Sequence, residues 1–416
     1  MPPTDTQTIN ACRVCQAPTL KQFFDLGRQP LANALPQKPD EPEQTYPLSL
    51  SWCPSCSLVQ LNETVSPKAL FSQYVWVTGT SSTARDYAET FYQRTMAHLA
   101  KPEAKKFILE IASNDGTFLI PFRDHGHRIL GVDPAKNIVE MAEKGGIPTR
   151  CAFFSELTAE EIVKTDGPAD MVIARNVLPH VANTRDFIAG IGRCVGTDGV
   201  AVIEVHDASI IQNELHYDSI YHEHLCYFTV KSLERLLNDA GLSLIDLEPS
   251  PISGGSMVVY AAKGKSTETP AVQQRRDQET NQHTNEFSRW QQFAEQSFRH
   301  RDQFTQLLDQ IRQDGRTVVG YGASARSSTL LNFCGIGPEL LAAIADQNPW
   351  KQGRYTAGTH IPIVAPEQTL GRNPGYVVIL AWNFADEIIS ILKTKYRYGG
   401  GVILPLPRTP RLVERI

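Results

Sequence analysis

Apolar and polar positions divide the chain into three regimes. Up to about residue 70 apolar runs are short. Pro30, Pro36, Pro42 and Pro47 make the segment read as extended, not helical. From about residue 101 the pattern is regular. Lys106–Leu119 reads as strand, tight loop and helix, and Arg128–Pro134 as a second strand ending in a carboxylate. Ala169–Ala174 and Gly199–Val205 add strands, with a helix-spaced stretch from Thr184 to Val195 between them. Strands alternating with helices, with polar residues at the strands' carboxyl ends, predict a doubly wound α/β sheet. The polar stretch Gly264–Asp277 reads as a linker or exposed crossing. Gln278–Gly315 carries the apolar stripe Phe287, Trp290, Phe293, Phe298, Phe304, Leu307, Leu308 and Ile311, which predicts one or two amphipathic helices. Arg316–Asn332 then repeats the strand, glycine loop and helix, and Ala342–Asp346 is again a strand ending in a carboxylate. A second doubly wound domain follows, echoing the first.

Between the first two regimes, Phe71–Ser82 is an aromatic, strand-like run. Thr83–Ala100 has helical spacing, with Tyr87, Phe91 and His98 recurring. These aromatics read as packing between domains, with Tyr74 the alternative candidate to face a ligand. The expected boundaries are 1–70, 71–262 and 263–416, within the two to four domains that 416 residues suggest.

Composition narrows the function classes. A net charge of −5 and a pI near 6.1 argue against a general nucleic-acid binder. No apolar run reaches the roughly 18 residues of a membrane span. Met1–Asn10 lacks the charged and apolar regions of a secretion signal, so a cytoplasmic protein is expected. Four of the eight cysteines form two pairs, Cys12/Cys15 and Cys53/Cys56. Each pair has the spacing that lets two thiolates of one turn face one ion, and two pairs complete a closed tetrahedral shell. A structural zinc module is expected, dependent on its metal to fold.

The loop after the first strand of the middle domain lacks the glycine spacing of a dinucleotide fingerprint. It offers Glu110, Asn114 and Asp115 instead, which suit a cationic sulfonium with an amino-acid tail. Asp133 ends the second strand, where a carboxylate can accept from both ribose hydroxyls. Glu110, Asp133, Asn176, His180 and the segment after Glu204 fall on one rim of the sheet. Tyr221–Phe228 can hang over that rim. Its two histidines, one glutamate and two tyrosines form the densest cluster of proton-moving groups in the chain. In a helical turn Tyr221 and His224 would be neighbours; in a strand, Tyr221 would share a face with Glu223 and His222 with His224.

The paired CxxC knuckles, Glu110–Gly116, Asn176–His180 and Tyr221–His224 with Tyr227–Phe228 together resemble the sugar C-methyltransferases that act on nucleotide-linked 4-keto deoxysugars. The resemblance covers essentially the whole chain. It implies a zinc module, a class I S-adenosyl-L-methionine methyltransferase domain with a Rossmann-like fold, and a second Rossmann-like domain that binds the nucleotide-sugar. It implies an active site containing Tyr221, Glu223, His224 and His180, with an aromatic from the Tyr74/Trp76 run. It implies that Glu110, Ala112, Asn114, Gly116, Asp133 and Asn176 hold the cofactor. The substrate's diphosphate would lie on the loop of Gly322, Ser324 and Arg326, with Asn332, Lys351 and Arg354 nearby. Ala112 stands where a glycine is frequent in the family, and Trp76 where a tyrosine is frequent.

The expected chemistry is proton removal beside the C4 ketone and attack of the resulting carbanion on the sulfonium methyl, at C3 or C5. His224 is the natural base, oriented by Glu223, with Tyr221 and His180 as donors to the oxyanion. Rival readings are an O- or N-methyltransferase, a nicotinamide oxidoreductase built on the C-terminal glycine loop, and a zinc-ribbon interaction protein. No nucleic-acid or membrane partner is expected; the oligomeric state stays open, with a monomer plausible.

Overall fold

The computed structural model describes residues 6–66, 70, 77–252, 254–264 and 267–416. In the first of these segments, two cysteine turns flank an antiparallel hairpin, Lys21–Pro30 against Thr45–Trp52. The prolines act as the sequence suggests. Pro30 and Pro47 sit in the strands, and Pro36 and Pro42 in the loop that lets the chain run out and back. Val59–Leu61 adds a third strand, and the fourth is Cys226–Tyr227, from far along the chain.

The middle domain has a seven-stranded sheet. In spatial order its strands are Leu242–Pro249, Ser256–Lys263, Val195–His206, Ala169–Arg175, Phe107–Ile111, Arg128–Asp133 and Thr149–Cys151. The last five are mutually parallel, whereas Ser256–Lys263 is antiparallel to both its neighbours. The strand order reverses between Phe107–Ile111 and Ala169–Arg175. In an open α/β sheet a ligand crevice forms at such a reversal, beyond the strands' carboxyl ends. Phe107–Ile111 is buried throughout and Val195–His206 is buried from Gly199 to Val205, as strands covered on both faces must be.

The C-terminal domain has a six-stranded sheet in the order Ile363–Val364, Ile344–Ala345, Val318–Tyr321, Tyr376–Ile379, Gly401–Leu404 and Arg411–Val413. All pairs are parallel except the last. Its order reverses between Val318–Tyr321 and Tyr376–Ile379.

The stretch 264–277, read as a linker, is largely helix: Pro270–Asn281. Its start follows proline's preference for the first helical turn, where a missing N–H costs nothing. Only Val272 and Glu279 are buried on it, so it has no apolar stripe for periodicity to reveal. Phe287–Gln313 is then one continuous helix of 27 residues. Its Phe293 and Phe298, with Phe333, meet the edge of Phe24 at centroid distances of 5.5–5.8 Å, which packs the cysteine-bearing hairpin onto the C-terminal domain. No helix among the described residues is long and apolar enough to cross a membrane.

Candidate active site

The loop after Phe107–Ile111 lines the middle domain's crevice. Ala112 (φ 54°), Asn114 (φ 52°) and Gly116 (φ 80°) all adopt positive φ. Asparagine and glycine tolerate this conformation, while alanine is strained in it. At Gly116 a Cβ would also lie 2.7 Å from Ile147, so only glycine fits. Asn176, on the opposite side of the crevice, has φ 51°.

Asp133 holds the loop. Its Oδ2 accepts from the Asn114 amide (3.1 Å) and its Oδ1 from the Ala135 amide (2.9 Å). Glu110 lies just beneath. Burial raises its pKa to about 8 against the opposing pull of Arg175, whose guanidinium is committed to Glu204 at 2.7–2.8 Å. Glu110 Oε2 and Ser113 Oγ are buried without a hydrogen-bond partner. Unmet acceptors beside a ribose-type carboxylate fit a cofactor bearing hydroxyls, an ammonium and a sulfonium. Amides from Thr78 and Gly79 cap the loop on Asn114 Oδ1 (2.8 Å) and Asp115 Oδ2 (2.9 Å).

The proton-moving stretch follows the helix Ala208–Glu214 and a 3₁₀ turn, Tyr217–Ser219. It is a turn, closed by the His224 amide on the Tyr221 carbonyl at 2.8 Å. Tyr221 Oη lies 2.9 Å from His224 Nε2, and His224 Nδ1 lies 2.7 Å from the Ser219 carbonyl. A carbonyl only accepts, so Nδ1 carries the proton and Nε2 takes the hydrogen bond from Tyr221. The rings of His180 and His206 stand 4.9 and 4.8 Å from that of His224. Burial holds all three imidazoles neutral: His180 at about 4, His206 at about 3, and His224 well below its ordinary value. His206 was not among the sequence candidates. Its signal is the one that found His180, a polar residue at a strand's carboxyl end.

Glu223 does not orient His224. Its carboxylate turns toward the N-terminal module and accepts from Asn33 Nδ2 at 2.7 Å, and Ser219 occupies the Nδ1 position expected for it. His222 also faces that module, with Nε2 3.1 Å from the Pro47 carbonyl. Tyr74 and Trp76 lie outside the described residues.

The C-terminal glycine loop repeats the middle domain's bonding. Asp346 Oδ2 accepts from the Ala323 amide and Oδ1 from the Asn348 amide, both at 2.8 Å, as Asp133 does from Asn114 and Ala135. Gly322 has φ 91°, and a Cβ there would meet Ala381 at 2.9 Å. Ser324 caps the helix Ala325–Cys334. The groups expected around a diphosphate are largely held by the protein itself. Arg326 pairs with Asp218 and Lys351 Nζ reaches the Ala323 carbonyl (2.6 Å). Arg354 Nη1 reaches the Leu35 carbonyl (3.2 Å), and Asn332 binds the Ser328 and Ala357 carbonyls.

The sulfurs of Cys12, Cys15, Cys53 and Cys56 all lie within 4.8 Å of one another, with Cys12–Cys56 and Cys15–Cys53 each at 3.5 Å. Thiolates about 2.3 Å from a tetrahedral zinc are separated by roughly 3.8 Å, so the cluster fits zinc with no position left for substrate.

Three family models match the chain in succession: a zinc binding domain over 12–71, a methyltransferase domain over 84–247, and a C-methyltransferase C-terminal domain over 251–407. The C-methyltransferase NovU of Streptomyces niveus is 32% identical over 98% of this chain and 97% of its own. The chain belongs to this C-methyltransferase family. It is an S-adenosyl-L-methionine-dependent methyltransferase with a four-cysteine zinc module. More distant similarity, 29% over 24% of this chain and 40% of the relative, links it to a ubiquinone biosynthesis O-methyltransferase of Rickettsia prowazekii. Among solved structures, the PH0226 protein of Pyrococcus horikoshii aligns at 14% identity and a TM-score of 0.37, over 45% of this chain and 94% of its own.

Proposed function

We propose that the protein methylates the carbon beside the C4 ketone of a nucleotide-linked 4-keto deoxysugar, at C3 in preference to C5. The observation that carries this reading is the state of His224. Its Nδ1 proton is committed to Ser219, which leaves the Nε2 lone pair directed at Tyr221 over the cofactor rim. Bound S-adenosyl-L-methionine supplies an electrophilic methyl. The side chains supply proton management. His224 Nε2 takes the proton from the carbon flanking the ketone, and Tyr221 and His180 serve the ketone oxygen as it gains negative charge. When Tyr221 turns its hydroxyl to that oxygen, Nε2 is freed for the carbon-bound proton. The carbanion then takes the methyl and the ketone re-forms. The nucleotide would rest on the C-terminal rim, beside the first turn of the helix Ala325–Cys334. Pathways that build unusual deoxysugars supply and use such substrates.

The test is solvent deuterium exchange into a nucleotide-linked 4-keto deoxysugar without methyl donor. The wild-type protein exchanges the proton at the methylated carbon, and H224N stops exchange. With donor present, NMR finds the new methyl on carbon. Exchange at the wild-type rate in H224N removes His224 as base. A methyl on oxygen or nitrogen overturns the reaction class proposed here.

A further inference from the structure

The active-site loop reaches into the strand-order reversal of the C-terminal domain and is held there. Loops following Val318–Tyr321 and Tyr376–Ile379 flank the reversal of strand order, where a doubly wound sheet ordinarily seats a ligand. From the first comes Arg326, in the opening turn of Ala325–Cys334; from the second comes Trp382. Both converge on one carboxylate, Asp218. Arg326 Nε and Nη2 donate to its two oxygens at 3.0 and 2.8 Å, and Trp382 Nε1 donates at 2.8 Å. Asp218 is 1% exposed. The Arg326 guanidinium lies 4.7 Å from the Trp382 ring. The backbone also passes so close that a Cβ at Gly254 would lie 3.3 Å from Arg326 Nη1. From the same helix, Thr329 Oγ1 donates to the Ile220 carbonyl at 2.7 Å. Residues 218 and 220 are thus both held by the C-terminal domain, and Ser219 between them presents the carbonyl that fixes the His224 proton.

We infer that Asp218 and Arg326 are positioning residues for the methyl transfer. The second doubly wound domain uses its crevice to grip Asp218, the grip aims the Ser219 carbonyl, and that carbonyl sets the tautomer of His224. A carboxylate of the chain itself thereby takes the guanidinium that the local sequence pattern offers to a diphosphate. The inference rests on His224 being the base, and it makes the reaction centre incomplete on the middle domain alone.

The test uses the full-length, zinc-loaded protein as wild type, D218N, R326M, R326K and the D218N/R326M double variant. Three readouts are taken: turnover, affinity for S-adenosyl-L-homocysteine by calorimetry, and ¹⁵N shifts of labelled histidine, which separate the two imidazole tautomers. Misplacing a catalytic group by about 1 Å costs on the order of 10²-fold in rate, and D218N and R326M should each lose about that in kcat. Affinity for S-adenosyl-L-homocysteine should stay within about twofold, since the cofactor loop is untouched. The double variant should be little worse than either single one, because the residues act as one unit. The His224 signals should shift from a single Nδ1–H form to a mixture, with R326K intermediate. Wild-type kcat and an unchanged tautomer in D218N and R326M would overturn the inference, as would additive losses. If D218N does not fold, R326K and R326M decide the question by the same readouts. H224N run alongside separates the two claims. Persistent exchange in H224N refutes the base, whereas lost exchange in H224N with an intact D218N refutes only the grip.

Discussion

The Glu223 carboxylate accepts a hydrogen bond from Asn33 at 2.7 Å, across 190 positions of the chain. Its neighbour His224 bonds in a different direction, to Ser219 and Tyr221. E223Q keeps an acceptor for Asn33 and should leave the Nδ1–H tautomer of His224 unchanged. E223A leaves the Asn33 amide without that acceptor and should cost about 1–3 kcal/mol of stability. Denaturant midpoints and histidine ¹⁵N shifts check both. Loss of the tautomer in E223Q would return the orienting role to Glu223.

Glu110 should make cofactor binding pH-dependent. Its pKa is raised to about 8 by burial, so in the cofactor-free protein it is largely protonated at pH 7. A cationic ligand favours the carboxylate. Binding of S-adenosyl-L-methionine should therefore release a proton, and affinity should rise as pH increases from about 6 to 8. Calorimetry in buffers of different ionisation enthalpy measures the release. E110Q should bind more weakly and lose the pH dependence.

Stability should fall in mild acid. Burial holds His216 at about 3, His222 at about 4 and His224 lower than its ordinary value, so all three stay neutral in the fold. Unfolded, each takes up a proton below about pH 6.5. The unfolded chain then binds more protons, so their stabilising effect is complete above pH 6.5. Each group then removes up to about 1.4 kcal/mol for each unit the pH falls, until its folded-state value is reached. Denaturant midpoints at pH 7.5, 6.0 and 5.0 should trace the decline, and H222Q should flatten it.

Metal removal should inactivate the protein although the four-cysteine shell leaves zinc no position for substrate. Purified protein should contain about one zinc per chain. Chelation should lower the melting temperature and abolish turnover, and zinc should restore both. C53S should mimic the chelated state. A metal-free protein with full turnover would refute the dependence.

The sequence disclosed what depends on neighbours in the chain. The spacing of Tyr221 and His224 makes them neighbours in a turn but not in a strand; the sequence left both open, and the closing 2.8 Å hydrogen bond shows the turn. Alternating strands and helices disclosed both sheets. Contacts between distant segments stayed hidden. Nothing near Asp218 signals a partner 108 positions away in Arg326 or 164 away in Trp382. Arg326 looked like a diphosphate ligand because it opens a helix after a glycine loop, and that local pattern suits an anion from any source. Pro270–Asn281 went unread as a helix because its buried positions are so few.

The short strand Cys226–Tyr227 belongs by sequence to the methyltransferase domain and by hydrogen bonding to Val59–Leu61 of the zinc module's sheet. Recombination between relatives is constrained accordingly. A methyltransferase domain grafted without its own zinc module would lose the strand's pairing partner two residues beyond His224. One grafted without its own C-terminal domain would lose the opposite anchor. Chimaeras between relatives should therefore keep turnover only when all three modules come from one parent.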